Sequence, residues 1–230
     1  MLDSYGVLLI KYPRGHADFR AATESTSAVD AMNAHKVSNI QFAVDRNERL
    51  VKGTHVQVAQ RCLDRMLGPD TFRTLTASGG PRWKVIVPVA WYEVDVLHAA
   101  NTKAAERLGI SMHDLATELA SENARTDLRG VYKFLVKVLS VRTILSQLPR
   151  LWRNYVHFGE CVPISSEPGH YAAEGQGMFE EYLAWTSGCC RGFVTTAVEM
   201  AGARDVKAKI VPLPPLGGRA RFKLDLFYKE

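Results

Sequence analysis

The sequence predicts an α+β domain in which an N-terminal helical part packs on a C-terminal antiparallel sheet with a covering helix. Three observations carry that class. Phe193, Ala197, Met200 and Ala201 recur at helical spacing between Cys189 and Ala201, and Gly202 ends the run. Val206, Ala208 and Ile210 alternate with Lys207 and Lys209, while Phe222, Leu224, Leu226 and Tyr228 alternate with Arg221, Lys223, Asp225 and Phe227. Such alternation gives a strand one buried and one wet face, as in an antiparallel sheet covered on one side. The strands are expected over 205–211 and 219–228, joined by a Pro/Gly turn at 212–218. Finally, helical patterns come first along the chain and hairpin–helix–hairpin follows, an α+β order.

Taken from the start, residues 1–36 lack a clear apolar face beyond a strand-like run at 4–12, and their Ala, Ser and Thr content predicts a disordered extension. A single α+β domain is expected over 37–230. Ile40, Phe42 and Val44 alternate before Asp45-Arg46-Asn47, so a short hairpin to Leu50-Val51 is predicted. Thr54 is placed to cap a helix carrying Val58, Cys62, Leu63 and Met66 on one face, which Gly68-Pro69 stops. Pro69 can open a short helix to Leu75, with Asp70 in its first turn. The run 85–91 is apolar but broken by Pro88 and too short to type. A helix is predicted from Val94 to Leu108, ended by Gly109. Ser111 caps the next, to about Ala124, with Asp114 completing a capping-box pattern.

Val131, Leu135 and Val138, flanked by Tyr132, Val136 and Leu139, form a stripe wide enough for a helix buried on more than one side. Residues 141–148 continue helically. Pro149 then fits the first turn of a further segment to Val156. A hairpin is expected from 160–165 to 170–174 around Glu167-Pro168-Gly169, and 178–185 fits helix and strand equally well.

Composition bounds the function. Of 230 residues, 47% are hydrophobic and 23% charged, the mix of a globular protein. No apolar run approaches the ~20 residues of a membrane span, and neither a basic leader nor a cleavage site opens the chain, so a cytoplasmic protein is expected. Cys62, Cys161, Cys189 and Cys190 show no ligand or framework spacing and are expected as reduced thiols. The net charge is +5, and seven basic against three acidic side chains fall between Arg204 and Glu230. Without an aromatic-and-glycine RNA-binding signature, these basic strands are expected to be a solvated face rather than a nucleic-acid surface.

Catalytic constellations are missing from the pattern. There is no G-x-S-x-G elbow and no phosphate-cradling glycine loop. Cys189, read as the start of a helix, is a candidate for a dipole-lowered thiol or for a small packing residue. His113 and His157 are the metal-ligand candidates, each without spacing partners, and no metal is expected. His157, Cys161 and His170 would approach one another if their strands pair. His98 reads as a core or boundary residue, and the adjacent Glu180-Glu181 as no carboxylate pair. The expected class is therefore non-enzymatic.

Several segments together resemble a known family: Leu50-Val51-Lys52-Gly53-Thr54, Trp91-Tyr92, Leu148-Pro149-Arg150-Leu151-Trp152-Arg153, Phe158-Gly159-Glu160 and Ala201-Gly202-Ala203-Arg204-Asp205-Val206. Their order over residues 50–230 resembles a mostly myxobacterial paralogous family of unknown function. That family is in turn similar to haem–nitric-oxide-binding and 4-vinyl-reductase-like domains. The resemblance implies a helical part on an antiparallel sheet and an internal cavity for haem, small hydrocarbons or acyl groups. It also implies a tendency to form homodimers. Two departures stand out: the family's terminal Cys and Trp are absent around Arg221–Tyr228, and so is the Tyr-x-Ser-x-Arg haem-propionate signature. By this resemblance Trp91, Tyr92, Trp152, Tyr155, Phe158, Trp185 and Phe193 are candidate pocket residues for a small apolar ligand; a filled core is the alternative. A protein-interaction or dimerisation module and a haem-based sensor are the other functions it implies.

Overall fold

Two antiparallel sheets and a set of packed helices make up the computed structural model, which describes residues 48–129 and 140–230. The expected extension at 1–36, the alternating strand at 40–44 and the stripe at 131–139 lie outside the described residues. The described residues belong to one compact unit.

The first strand, β1 (Leu50–Lys52), pairs antiparallel with β2 (Trp91–Glu93), forty residues further on, with Val51 opposite Tyr92. Helix α1 (Gly53–Leu67) leaves β1 directly. Its expected Thr54 cap is replaced by a backbone device. Gly53 N–H donates to Ala90 O at 2.8 Å and Thr54 N–H to Pro88 O at 3.0 Å, so the loop before β2 satisfies the orphan donors of the helix start. Gly53 is required there, because a Cβ would lie 2.0 Å from Val87 O. The untyped run 85–91 is thus the loop that seats α1. Val58, Cys62 and Leu63 of the predicted stripe are buried, whereas Met66 is exposed.

Helices α2 (Thr71–Leu75) and α3 (Val94–Leu108) follow, the latter ended by Gly109 as expected. Asp70 stands at the N-cap of α2 without capping through its side chain. Helix α4 (Met112–Arg129) is capped by Ser111, whose Oγ accepts from Asp114 N–H at 3.0 Å, and it runs one turn past the expected end. Ser140 caps α5 (Val141–Ser146), and α6 (Leu148–Tyr155) carries Pro149 in its first turn.

The larger sheet has the order β3-β4-β6-β5, all neighbours antiparallel: β3 (Glu160–Glu167), β4 (His170–Met178), β5 (Arg204–Leu216) and β6 (Arg219–Lys229). The hairpin at Pro168-Gly169 forms as predicted. The second hairpin differs. Strand β5 runs through Pro212, Pro214 and Pro215 to Leu216, leaving only Gly217-Gly218 as the turn. Its edge position explains this, since an edge strand needs no N–H on its outer side.

Helix α7 (Leu183–Met200) joins the hairpins and begins six residues before the predicted start. The ambiguous stretch 178–185 is divided into the end of β4, a single 3₁₀ turn at Glu180–Tyr182 and the first residues of α7. Phe222, Leu224, Leu226 and Tyr228 are buried, with Val206, Ala208 and Ile210 packed against the same core. The opposite face is wet and carries the pairs Arg221–Glu174 and Lys223–Asp225. Among the described residues no helix is long and apolar enough to cross a membrane.

Candidate functional site

Two glycines four residues apart set the position of α7. A Cβ on Gly192 would lie 2.0 Å from Thr117 O, and one on Gly188 would lie 2.4 Å from His113 O. Helices α4 and α7 therefore meet backbone to backbone, and Ser121 Oγ donates to Gly192 O at 3.3 Å. This close approach turns a different face of α7, carrying Trp185, Thr186, Cys189, Cys190, Phe193 and Val194, toward a cavity of about 80 Å³. Val51 of β1, His55 of α1 and Ala120 and Asn123 of α4 form one side. Leu148, Leu151, Trp152 and Tyr155 of α6, then Val156 and Cys161 of β3, form the other. The volume is about half that of the ~150 Å³ apolar cavity known to take up benzene.

Nearly all the lining is apolar, and among the described residues no lining side chain is acidic, Lys or Arg. The exceptions are informative. His55 Nε2, Asn123 Oδ1 and Trp185 Nε1 are buried and have no hydrogen-bond partner among the described residues. Each such group costs about 1–3 kcal/mol relative to a satisfied one. The His55 and Trp185 rings meet edge to face, with centroids 5.6 Å apart. Burial pushes the His55 pKa down to about 4, so the imidazole is neutral near pH 7. The remaining polar groups are engaged. Trp152 Nε1 donates to Phe158 O at 3.0 Å, Thr186 Oγ1 to Tyr182 O at 2.9 Å, and the Tyr155 hydroxyl to Asp127.

Three thiols also border the cavity. Burial pushes all of them above their ordinary range, Cys161 to about 12. Cys189 lies in the second turn of α7 rather than at its N-terminus. The helix dipole therefore has no purchase on it, and the small packing residue is the reading that geometry supports.

Of the seven aromatic pocket candidates, Trp152, Tyr155, Trp185 and Phe193 line this cavity, and Tyr155 packs on Phe193 at 5.5 Å. Trp91, Tyr92 and Phe158 stand elsewhere. Trp91 lies against His157, the rings tilted with centroids 3.6 Å apart, Tyr92 is packed on Trp83, and Phe158 sits among Phe179 and Tyr182. His157 pairs with Glu48 at 3.1 Å. His170 pairs with Asp225 at 3.3 Å, at the turn end of the hairpin, opposite Glu167, whereas Cys161 stands opposite Gly175. The anticipated meeting of His157, Cys161 and His170 does not occur, because Glu167, which faces His170, lies six positions along the extended strand from Cys161. His113 borders a separate open groove with Ser187, Arg191 and Ile210. Burial lowers its pKa, and the Arg191 charge adds to this. Glu181 pairs with Arg49 at 2.9 Å, and His98 packs half-buried on Tyr182. Among the described residues no group of three His, Cys, Asp or Glu is placed to hold a metal ion.

His55 and Asn123 were not singled out by sequence reasoning. The signal was present: His55 lies three residues before Val58 and seven before Cys62, and Asn123 lies four after Leu119. Each continues an apolar stripe with one polar residue.

No protein-family description and no curated protein matches the chain. Solved structures do. An H-NOX domain of S. oneidensis superposes with a TM-score of 0.61 at 13% identity, covering 78% of this chain and 96% of that one. An H-NOX protein of K. algicida gives 0.60 at 10% identity over 78% and 97%. The oxygen complex of an oxygen-binding H-NOX domain related to soluble guanylate cyclases gives 0.58 at 15% identity over 78% and 95%. At such identities the likeness concerns the backbone alone, and the chain has the α+β fold of H-NOX domains.

Proposed function

We propose that this chain is a non-enzymatic, sensory or regulatory domain that binds a small apolar molecule in the cavity between α1, α4, α6, β3 and α7. The observation that carries this reading is the cavity itself, a space of about 80 Å³ whose walls are almost wholly apolar. The H-NOX fold supports a sensory role, because proteins with that name and fold include an oxygen-binding domain. The resemblance of residues 50–230 to the myxobacterial paralogues is part of the same reading, as is a single domain over 37–230.

Haem is the ligand the fold brings to mind, and the lining does not fit it. The cavity is about 80 Å³, and among the described residues none that lines it is an Arg or Lys that would pair with the two carboxylates of the macrocycle. His55 is the imidazole on the cavity wall, while His113 borders the other groove. Dimerisation through the sheet edge is also less favoured. Pro212, Pro214 and Pro215 remove N–H donors along β5, a device that blunts edges against pairing.

Crystals of the protein under xenon pressure test the proposal. Xenon is expected between Trp185 and Phe193, and an empty, collapsed site would overturn it.

A further inference from the structure

The open groove bordered by His113 and Arg191 shares no lining residue with the cavity and is larger, about 360 Å³. We infer that it binds a medium-length fatty monocarboxylate, whose carboxylate pairs with Arg191 while its hydrocarbon tail lies against Leu183, Ala208 and Ile210. This site is separate from the one proposed above and stands without it.

The groove exists because the edge of the sheet is left unfinished. On the inner face of β6, Phe222, Leu224 and Leu226 are buried. Their partners on the edge strand β5 are Pro212, Ile210 and Ala208, so these share that face. Yet Ala208 and Ile210 are only half-buried, and Pro212 is exposed. The opposite wall is a stripe of α7, where Leu183, Ser187 and Arg191 follow one another at steps of four. Ala184, Ser187 and Ala208 are too small to close the space between helix and strand. The resulting volume falls within the ~300–1,000 Å³ of ligand sites, and its apolar walls carry a few polar groups, as such sites do.

Charge selects the head group. Among the described residues Arg191 has no carboxylate partner, and no Asp or Glu lines the groove. Asp114 stands beside His113, with Oδ1 3.9 Å from Nδ1, but outside the lining. The Arg191 charge reaches His113: after burial, it is the next cause that holds this imidazole below its ordinary range, neutral near pH 7. The groove therefore offers one positive charge, which matches one negative charge. A guanidinium fork takes both oxygens of a carboxylate. A phosphate monoester, with a charge approaching about −2, would leave its second charge unmatched.

Size selects the tail. With a water taking up ~30 Å³ of liquid, about 360 Å³ holds roughly twelve non-hydrogen atoms, the scale of octanoate or decanoate. Leu183 and Arg191 stand about 12 Å apart along the helix axis, room for such a chain laid lengthwise.

The test uses the full chain, methyl-labelled for NMR and titrated at pH 7 with octanoate, octylammonium and butanoate below micelle-forming concentrations. The methyl groups of Leu183, Ala208 and Ile210 report the groove, and those of Val194 the separate cavity. Octanoate is expected to shift the groove methyls saturably and leave Val194 unmoved. Octylammonium, with the same tail and the opposite charge, should bind roughly tenfold or more weakly. Butanoate, with a shorter tail to bury, should also bind roughly tenfold or more weakly. Arg191→Gln is expected to weaken octanoate by about fivefold, the upper worth of an exposed ion pair, and Arg191→Lys by less. Ala208→Phe, verified as folded by a cooperative thermal transition, fills the groove and should abolish the shifts. Equal affinity for octanoate and octylammonium, or unchanged affinity in Arg191→Gln, would overturn the carboxylate assignment. Octanoate shifts at Val194 with Ile210 unmoved would overturn the site. So would groove shifts that follow protein concentration without any ligand, which would place a second copy of the chain there instead.

Discussion

Helix α7 presents two faces that solve opposite problems. Along Gly188 and Gly192 it lies so close to α4 that a single added carbon would meet a backbone oxygen at 2.4 or 2.0 Å. Around the same helix Trp185, Cys189, Cys190 and Phe193 stand back from α1, α6 and β3 and leave a space of about 80 Å³. The sealed face is made by the smallest residue and the hollow face by some of the largest. Large side chains hold neighbouring elements apart, and where they do not interdigitate completely a void remains. One helix thus anchors the fold and walls the site, and substitutions should separate the two tasks.

The sealed face should be the more sensitive. Gly192→Val places its first carbon against Thr117 O, where neither backbone can yield, and is expected to cost more than about 3 kcal/mol. Chemical denaturation would measure this; a loss below about 1 kcal/mol would mean that the helices separate easily. Cys190→Ala on the hollow face serves as the control and should cost distinctly less, because its surroundings are already incompletely packed.

Acid acts on the hollow face. The unfolded His55 imidazole titrates near 6.5 and the folded one near 4, so the unfolded chain holds more protons between those values. Stability should fall as pH drops through that window, by up to about 3 kcal/mol from this residue. Burial also lowers His98 and His113, which act in the same direction. Urea titrations at several pH values should show the slope shrinking in His55→Phe, and an unchanged slope would remove His55 as its main source.

Asn123→Leu replaces a buried amide whose oxygen has no partner among the described residues with an apolar group of similar size. It should raise stability by about 1 kcal/mol. A thermal melt that moves downward would indicate that the amide already has a partner. The smallest expected effect lies at the start of α4. Ser111→Ala removes the cap on Asp114 N–H and should cost about 1 kcal/mol without altering ligand uptake.

Sequence patterns were most legible where one local rule decided the outcome. The Ser111 capping box, the Pro149 helix start and the alternation along β6 all depend on neighbours within a few residues. Errors arose where a distant partner decided. Thr54 looked like a cap because it precedes an apolar stripe, yet the carbonyls of Pro88 and Ala90 took that task. The prolines of β5 read as a turn, yet an edge strand tolerates them. The early turns of α7, with Trp185, Thr186 and Ser187, carry no helix preference strong enough to announce themselves before α4 packs on Gly188.

Four of the seven aromatic candidates reached the cavity because their helices do. The other three are equally aromatic and equally suited to a core, and no spacing distinguishes a wall from a filling. By itself the chain's apolar periodicity and turn chemistry determined an α+β domain closed by a helix and a basic hairpin. Tertiary packing alone decided that a void remains, and that residues from α1, α4, α6, β3 and α7 enclose it with almost wholly apolar surface. Periodicity reports which face of an element is buried, whereas a cavity depends on how completely several faces from distant parts of the chain fill the space between them.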